Sequence, residues 1–263
     1  MVENRRQAAA GVLRTASRAL ALVVALGTVF LGGCKGGASI TVDTTVPRPL
    51  VDPIPAAMGV YIDETLKTYV HEEELPEYGD YRIDIGASQT PVFARVFDAM
   101  FEDVVYVQRA GDPADSRTDQ GTLAPDADDD EGEDEPDAPI RFIGNDGSSL
   151  AVDGIIAPAI EVVQFAIPDQ TGGDFYEVWI RYKLTLFDAG GNALGEWPLR
   201  GYGKANERNF GHLGKQTPAL HEATTWALRD AAAVLAVQFR NQAEVQDWLA
   251  TIGAGEDDEG APQ

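Results

Sequence analysis

The chain is poor in cysteine, in histidine and in positive charge, and each shortage closes off a class of function. It has one cysteine, Cys34, in 263 residues, so an intramolecular disulfide and a cysteine-built metal site are both impossible. The three histidines, His71, His212 and His221, are far apart in sequence and none falls in an H-E-x-x-H pattern. A zinc hydrolase therefore lacks its usual ligand spacing. There is no G-x-S-x-G elbow, phosphate-binding loop or dinucleotide fingerprint; no enzymatic activity, catalytic residue or cofactor is expected. Lys and Arg number 20 against 43 Asp and Glu, a formal net charge of −23. Such a chain is repelled by phosphodiester backbones, which excludes nucleic acid as a partner. Long hydrophobic runs are also missing: the apolar stretch Ala19 to Leu31 falls short of the roughly 20 residues a bilayer-spanning helix needs.

That stretch has a meaning of its own. Arg5, Arg6, Arg14 and Arg18 precede it and Leu31-Gly32-Gly33-Cys34 ends it, the order of a basic region, an apolar region and a small-residue cleavage site in a secretory signal. The string LGGC resembles a bacterial lipoprotein signal, which implies that Cys34 is lipidated and becomes the first residue of the mature chain. Residues 1–33 carry four Arg and one Glu, so their removal leaves a net charge near −26. Lys35 and Gly36 follow the cysteine rather than the Asp that retains such lipoproteins in the inner membrane. The expected location is the outer membrane, lipid-anchored and facing the periplasm.

Beyond Cys34, residues 34–57 contain Pro47, Pro49, Pro53 and Pro55 among small and polar residues and read as an extended tether. At about 3.3 Å per residue it could reach up to roughly 70 Å. A second low-complexity segment runs from about 111 to 139, with nine acidic residues among the twelve from Asp126 to Asp137. It reads as a disordered acidic insertion. Residues 253–263, with Glu256, Asp257, Asp258 and Glu259, read as a frayed tail. Between them, residues 58–252 form a single folded domain.

Within that domain, Met58, Val60 and Ile62 alternate as a strand does, and a charged stretch follows through Glu74. Tyr81, Ile83 and Ile85 mark a second strand. Thr90-Pro91 has the form of a helix start, and Phe93, Val96, Phe97, Met100 and Phe101 recur at helical spacing before a strand over Val104 to Val107. Asp153 to Ile167 reads as a long strand in which Pro158 demands an edge or a bulge. Tyr176, Val178, Ile180, Tyr182, Leu184 and Leu186 alternate with Glu177, Trp179, Arg181, Lys183 and Thr185, giving one core face and one wet face. Asp188 to Asn192 supplies a hairpin turn into a strand over Leu194 to Tyr202. Thr217-Pro218 starts a second helix with an Ala-rich stripe of Leu220, Thr224, Ala227, Leu228, Ala231, Leu235 and Phe239. The expected fold is α+β: a mixed, hairpin-rich sheet with two main helices on one face.

This order of elements, with the phrases YRIDIG, VFARVFDAMF and DGIIAP and the final Ala-rich helix after a hairpin, resembles periplasmic accessory lipoproteins with an anticodon-binding-like domain. That group includes curli-secretion lipoproteins and lipoprotein activators of peptidoglycan synthases. The resemblance spans about residues 58–250 and implies the fold and a non-enzymatic accessory role. It is closer still to uncharacterised outer-membrane lipoproteins sharing those phrases.

Two segments invite a site. Asp126, Asp128, Asp130 and Asp137 mimic spaced calcium-loop ligands, but Glu131 replaces the glycine of the sharp turn and no helices flank the segment, so no metal site is expected. Gly201 to Phe210 concentrates Tyr202, Lys204, Arg208 and Phe210 and reads as a loop able to take a partner or an anionic or glycan-like ligand. Two functions follow: an accessory or scaffold protein of an envelope assembly or transport system working through an envelope protein partner, or a periplasmic binding module. The second would hold a small or lipid-like ligand in a pocket lined by Phe93, Phe97 and Phe101; the first would have a filled core and an exposed aromatic groove.

Overall fold

The computed structural model describes residues 36–110, 139–211 and 216–258, with side chains to Gly253. In chain order these form β1 (Gly37–Thr41), β2 (Ile54–Tyr61), α1 (Glu64–Lys67), β3 (Val70–Leu75), β4 (Gly79–Asp84), α2 (Gly86–Met100), β5 (Phe101–Arg109), β6 (Phe142–Gly144), β7 (Gly154–Ala166), α3 (Pro168–Thr171), β8 (Phe175–Asp188), β9 (Ala193–Asn206), α4 (Gln216–Gln238) and α5 (Ala243–Asp258). The fold is α+β, as the sequence predicts. The main sheet is mixed, in the order β6-β5-β2-β7-β8-β9, and a smaller sheet has the order β1-β4-β3. Both contribute to one apolar core.

Helices α2 and α4 cover the face of the main sheet that carries the even-numbered residues of β8. Phe93 stacks on Phe97 with centroids 5.9 Å apart and meets Tyr182 edge-on at 5.3 Å. Phe101 meets Phe239 at 5.4 Å and Trp248 at 6.4 Å. The Tyr182 hydroxyl donates to Gln89 Oε1 at 3.0 Å, and Gln89 Nε2 donates to the Ile85 carbonyl at 3.3 Å, so this buried polar pair is satisfied. Burial pushes the Tyr182 phenol well above the usual tyrosine range. Helix α4 comes unusually close to β9: a Cβ on Gly201 would lie 2.2 Å from the Ala227 carbonyl oxygen, and one on Gly203 would lie 1.9 Å from that of Ala223. Glycine in the strand and alanine in the helix together permit that approach, the role the Ala-rich stripe implies.

The extended tether expected over 34–57 is not what residues 36–57 form. Ala38, Ile40, Val42, Thr44 and Val46 are buried, and β1 runs parallel to β4. The buried Ser88 hydroxyl donates to the Val42 carbonyl and accepts the Thr44 N–H at 3.2 Å. Arg48 Nη2 donates to the Asp98 carbonyl at 3.1 Å. From Thr44 to Arg48 the extended chain advances about 13 Å, close to the ~15 Å rise of α2 from Ser88 to Asp98, so this stretch straps along the helix. Prolines suit such a strap, which has no ladder to donate to. Arg240 Nη2 then holds the Asp52 carbonyl at 2.7 Å. Cys34 and Lys35 lie outside the described residues, as does the acidic insertion from 111 to 138.

Three smaller expectations shift as well, and the one for Pro158 holds. Helix α2 starts at Gly86, ahead of Thr90-Pro91; Pro91 forfeits a single i→i−4 bond inside the second turn, while Ser88 and Gln89 gain partners there. The charged stretch before Glu74 is β3, an edge strand whose Glu72, Glu73 and Glu74 discourage further pairing. Pro158 lies in a strand that β2 flanks only from Gly154 to Ile156. At Pro158 β7 is therefore already an edge, and a bulge follows at Ile160/Val162, so both alternatives hold. The frayed tail from 253 gives way to helix α5, which continues to Asp258.

Candidate functional site

Among the described residues, no helix covers the other face of β8 and β9. Register places Glu177 opposite Lys204, Trp179 opposite Tyr202, Arg181 opposite Arg200, Lys183 opposite Pro198 and Thr185 opposite Glu196, all pointing away from α4 because side chains alternate. Trp179 and Tyr202 are each 40% exposed, with ring centroids 5.5 Å apart. Around this pair run ion pairs: Lys204 to Glu177 at 2.8 Å, Arg181 to Glu161 at 2.7 Å and Lys183 to Glu196 at 3.1 Å. Lys204 Nζ also sits 4.1 Å above the Phe175 ring. Arg200 is exposed and, among the described residues, has no carboxylate partner. It stands directly opposite another guanidinium, an arrangement that costs a sheet stability. A protein with a net charge of −23 thus presents four cations, one of them uncompensated, beside an aromatic platform.

Electrostatics within the patch are local. The hydrogen bond from Lys204 holds the Glu177 carboxyl below the usual carboxylate range, with further help from the Tyr202 hydroxyl at 3.0 Å. The same contact raises the Lys204 ammonium. Tyr202 is raised by desolvation first and by the Glu177 hydrogen bond second. All three remain in their ordinary charge states near neutrality, so the patch offers fixed charges and ring faces rather than a proton-transfer group.

The edge of β9 is guarded. The Tyr202 N–H donates to Asp230 Oδ2 of α4 at 2.9 Å, so even-numbered N–H groups of this strand point outward. Pro198 falls on that same parity, where its missing N–H costs no ladder bond. Recognition through the open face is therefore more accessible than strand addition at the edge.

The expected constellation divides in the structure. Tyr202 and Lys204 lie in β9 rather than in a loop, and both belong to the open face. Arg208 lies in a 3-10 turn, Glu207–Asn209, where its side chain is 72% exposed and pairs with Asp174 at 2.7 Å. Phe210 turns inward and packs against the core. Reading Gly201 to Phe210 as one loop fails because the hairpin stays in register to Asn206, against the helix backbone at Gly201 and Gly203. Trp179, Arg181, Lys183 and Arg200 were not in the expected site; a tryptophan on a wet strand face was the signal that could have found them.

On the aromatic side of α2, Phe93, Phe97 and Phe101 are buried against one another, Tyr182 and Phe239. A shallow polar recess of about 360 Å³ lies elsewhere, lined by Gly36, Gly37, Ala38, Ser39, Asp80 and Thr217. Among the described residues no three His, Asp or Glu side chains converge as metal ligands, and Asp126 to Asp137 lie outside them. No protein-family model matches the chain, and no curated protein matches it.

Proposed function

We propose that the chain is a lipid-anchored periplasmic accessory or scaffold protein of an envelope assembly or transport system, attached to the outer membrane through Cys34 and acting by protein contacts. The observation that carries the contact reading is the open face of β8 and β9. An exposed Trp–Tyr pair flanked by an uncompensated Arg200 has the composition of an interface anchor. The burial of Phe93, Phe97 and Phe101 against one another favours contacts over an internal ligand. The matching partner surface offers carboxylates to Arg200 and an apolar groove to Trp179. The anchor rests on Leu31 to Cys34 and the basic and apolar regions before them. The accessory role is also what the resemblance to curli-secretion and synthase-activator lipoproteins suggests.

Two variants test this. Cys34→Ala should remain an unprocessed precursor or lose its outer-membrane partition; a variant that still matures and fractionates there would refute the anchor. Trp179→Ala with Arg200→Ala should still fold, since neither side chain belongs to the buried core, yet lose the protein crosslinked to the wild type in intact envelopes. Unchanged crosslinking would move the contact off this face.

A further inference from the structure

We infer that the anchored protein stands on the bilayer by one end of its long hairpin, with both roots of the acidic insertion held at the opposite end; this rests on the lipid-anchor reading above. The near end is fixed by where the chain enters the fold. Gly37 pairs with Asp80 in the parallel β1–β4 register, and a Cβ on Gly36 would lie 2.9 Å from the Tyr78 carbonyl oxygen. From Cys34 to Gly36 is at most about 7 Å of chain, so an acyl group at Cys34 holds this part of the fold against the headgroups. An extended tether would have left the domain free to tumble.

Several elements share that end. The Tyr78 hydroxyl contacts the Asp169 carbonyl of α3 at 3.5 Å, immediately before β8. The Glu207 N–H donates to the Asp174 carbonyl at 2.9 Å, which ties the end of β9 to the start of β8. Thr217, in the first turn of α4, lines the recess with Gly36 and Asp80. The bilayer-facing surface is thus the β3–β4 turn, α3, the 3-10 turn after β9 and the start of α4.

At the other end of the hairpin the Ile140 N–H donates to the Gly191 carbonyl at 3.0 Å, and the Ala110 N–H donates to the Arg141 carbonyl at 2.8 Å. Both roots of the insertion therefore sit by the β8–β9 turn. Strand β8 has 14 residues, which at about 3.3 Å each separates the two ends by roughly 40 Å. That is several times the ~8 Å Debye length at physiological salt, so the roots lie beyond the electrostatic reach of the leaflet. Exposed Glu77, Asp80 and Asp169 make the near end acidic too. Apposition is enforced by the covalent anchor, and the unacylated domain should have no affinity for vesicles.

The test uses the full acylated chain in phosphatidylcholine vesicles carrying a headgroup nitroxide quencher. With Cys34 acylated, a reporter fluorophore is placed through Asp169→Cys in one sample and Leu194→Cys in another. The expected result is quenching several-fold stronger at Asp169 than at Leu194, and loss of that difference when a 20-residue Gly-Ser segment is inserted between Lys35 and Gly36. Equal quenching, or the reverse order, in a protein that co-floats with vesicles and carries the acyl mass would overturn the orientation while leaving the anchor standing. A protein without acyl mass that fails to co-float would overturn the anchor, and the orientation with it.

Discussion

The two faces of β8 and β9 are made by one alternating sequence and behave as different materials. On the inner face Tyr176, Val178, Ile180, Tyr182, Leu184 and Leu186 are all buried, and Gly201 and Gly203 let the backbone of α4 touch the strand. There, shape decides what fits, because the packing is dense and a displaced atom has nowhere to go. On the outer face, Trp179, Tyr202, Arg181, Lys183 and Lys204 are held by pairwise contacts in water, each worth little by itself. The inner face consequently specifies the fold, and the outer face is free to be read by something else.

The largest effects should come from breaking the inner face. Phe97→Ala removes a ring with no exposed surface and should destabilise by about 3–5 kcal/mol, visible as an early denaturant midpoint. A loss under about 1 kcal/mol would show that the space can collapse or was never full. Gly203→Ala probes the close approach directly: the new methyl meets the Ala223 carbonyl, a backbone atom that cannot swing aside, so a cost of about 1–3 kcal/mol is expected. Gly173→Ala is the contrast, since its added carbon meets only Thr171 Oγ1 at 3.6 Å. It should be neutral or slightly stabilising through the unfolded chain. Equal losses at both glycines would sink the argument that the helix–strand contact is what demands Gly203.

How far the two faces were legible in sequence follows from the same physics. The period-2 pattern from Tyr176 to Leu186 is local, and burial of one face makes it strict, so strand and face could both be read. The stripe of α4 could be read for the same reason. Ala38, Ile40, Val42, Thr44 and Val46 also alternate, yet the prolines after them have the composition of a tether. A strap and a tether differ only in what lies beneath, here Ser88 and the Asp98 carbonyl, more than forty positions along the chain. Arg200 was hidden because its place opposite Arg181 depends on the turn geometry and on the irregularity at Leu186/Phe187, and Phe210 because the core it packs against is assembled from distant segments. Side-chain chemistry was legible position by position; juxtaposition across the hairpin was not.

The smallest effect separates the faces by pH. Glu177 has its folded pKa lowered, first by the Lys204 hydrogen bond, so its contribution is fully present above its unfolded value near 4.5 and is lost as pH falls through the folded value. Lys204 is raised by the same contact, so its share is present below its unfolded value near 10.5 and is lost as pH rises through the folded value. Glu177→Gln should therefore lower Tm by only about 1–3 °C across pH 6–8, as expected for an exposed pair that water and salt screen. That deficit should shrink toward zero as pH falls through the lowered folded value of Glu177, where the wild-type carboxyl becomes protonated. On the inner face, seven residues along the same strand, Leu184→Ala should lower Tm by an amount that does not change over this range, because the methyl groups removed do not titrate. A Glu177→Gln deficit that persists undiminished down to the lowest pH at which the fold survives would mean that the side chain acts there through packing rather than charge, and the outer face would then be a second, shallow core.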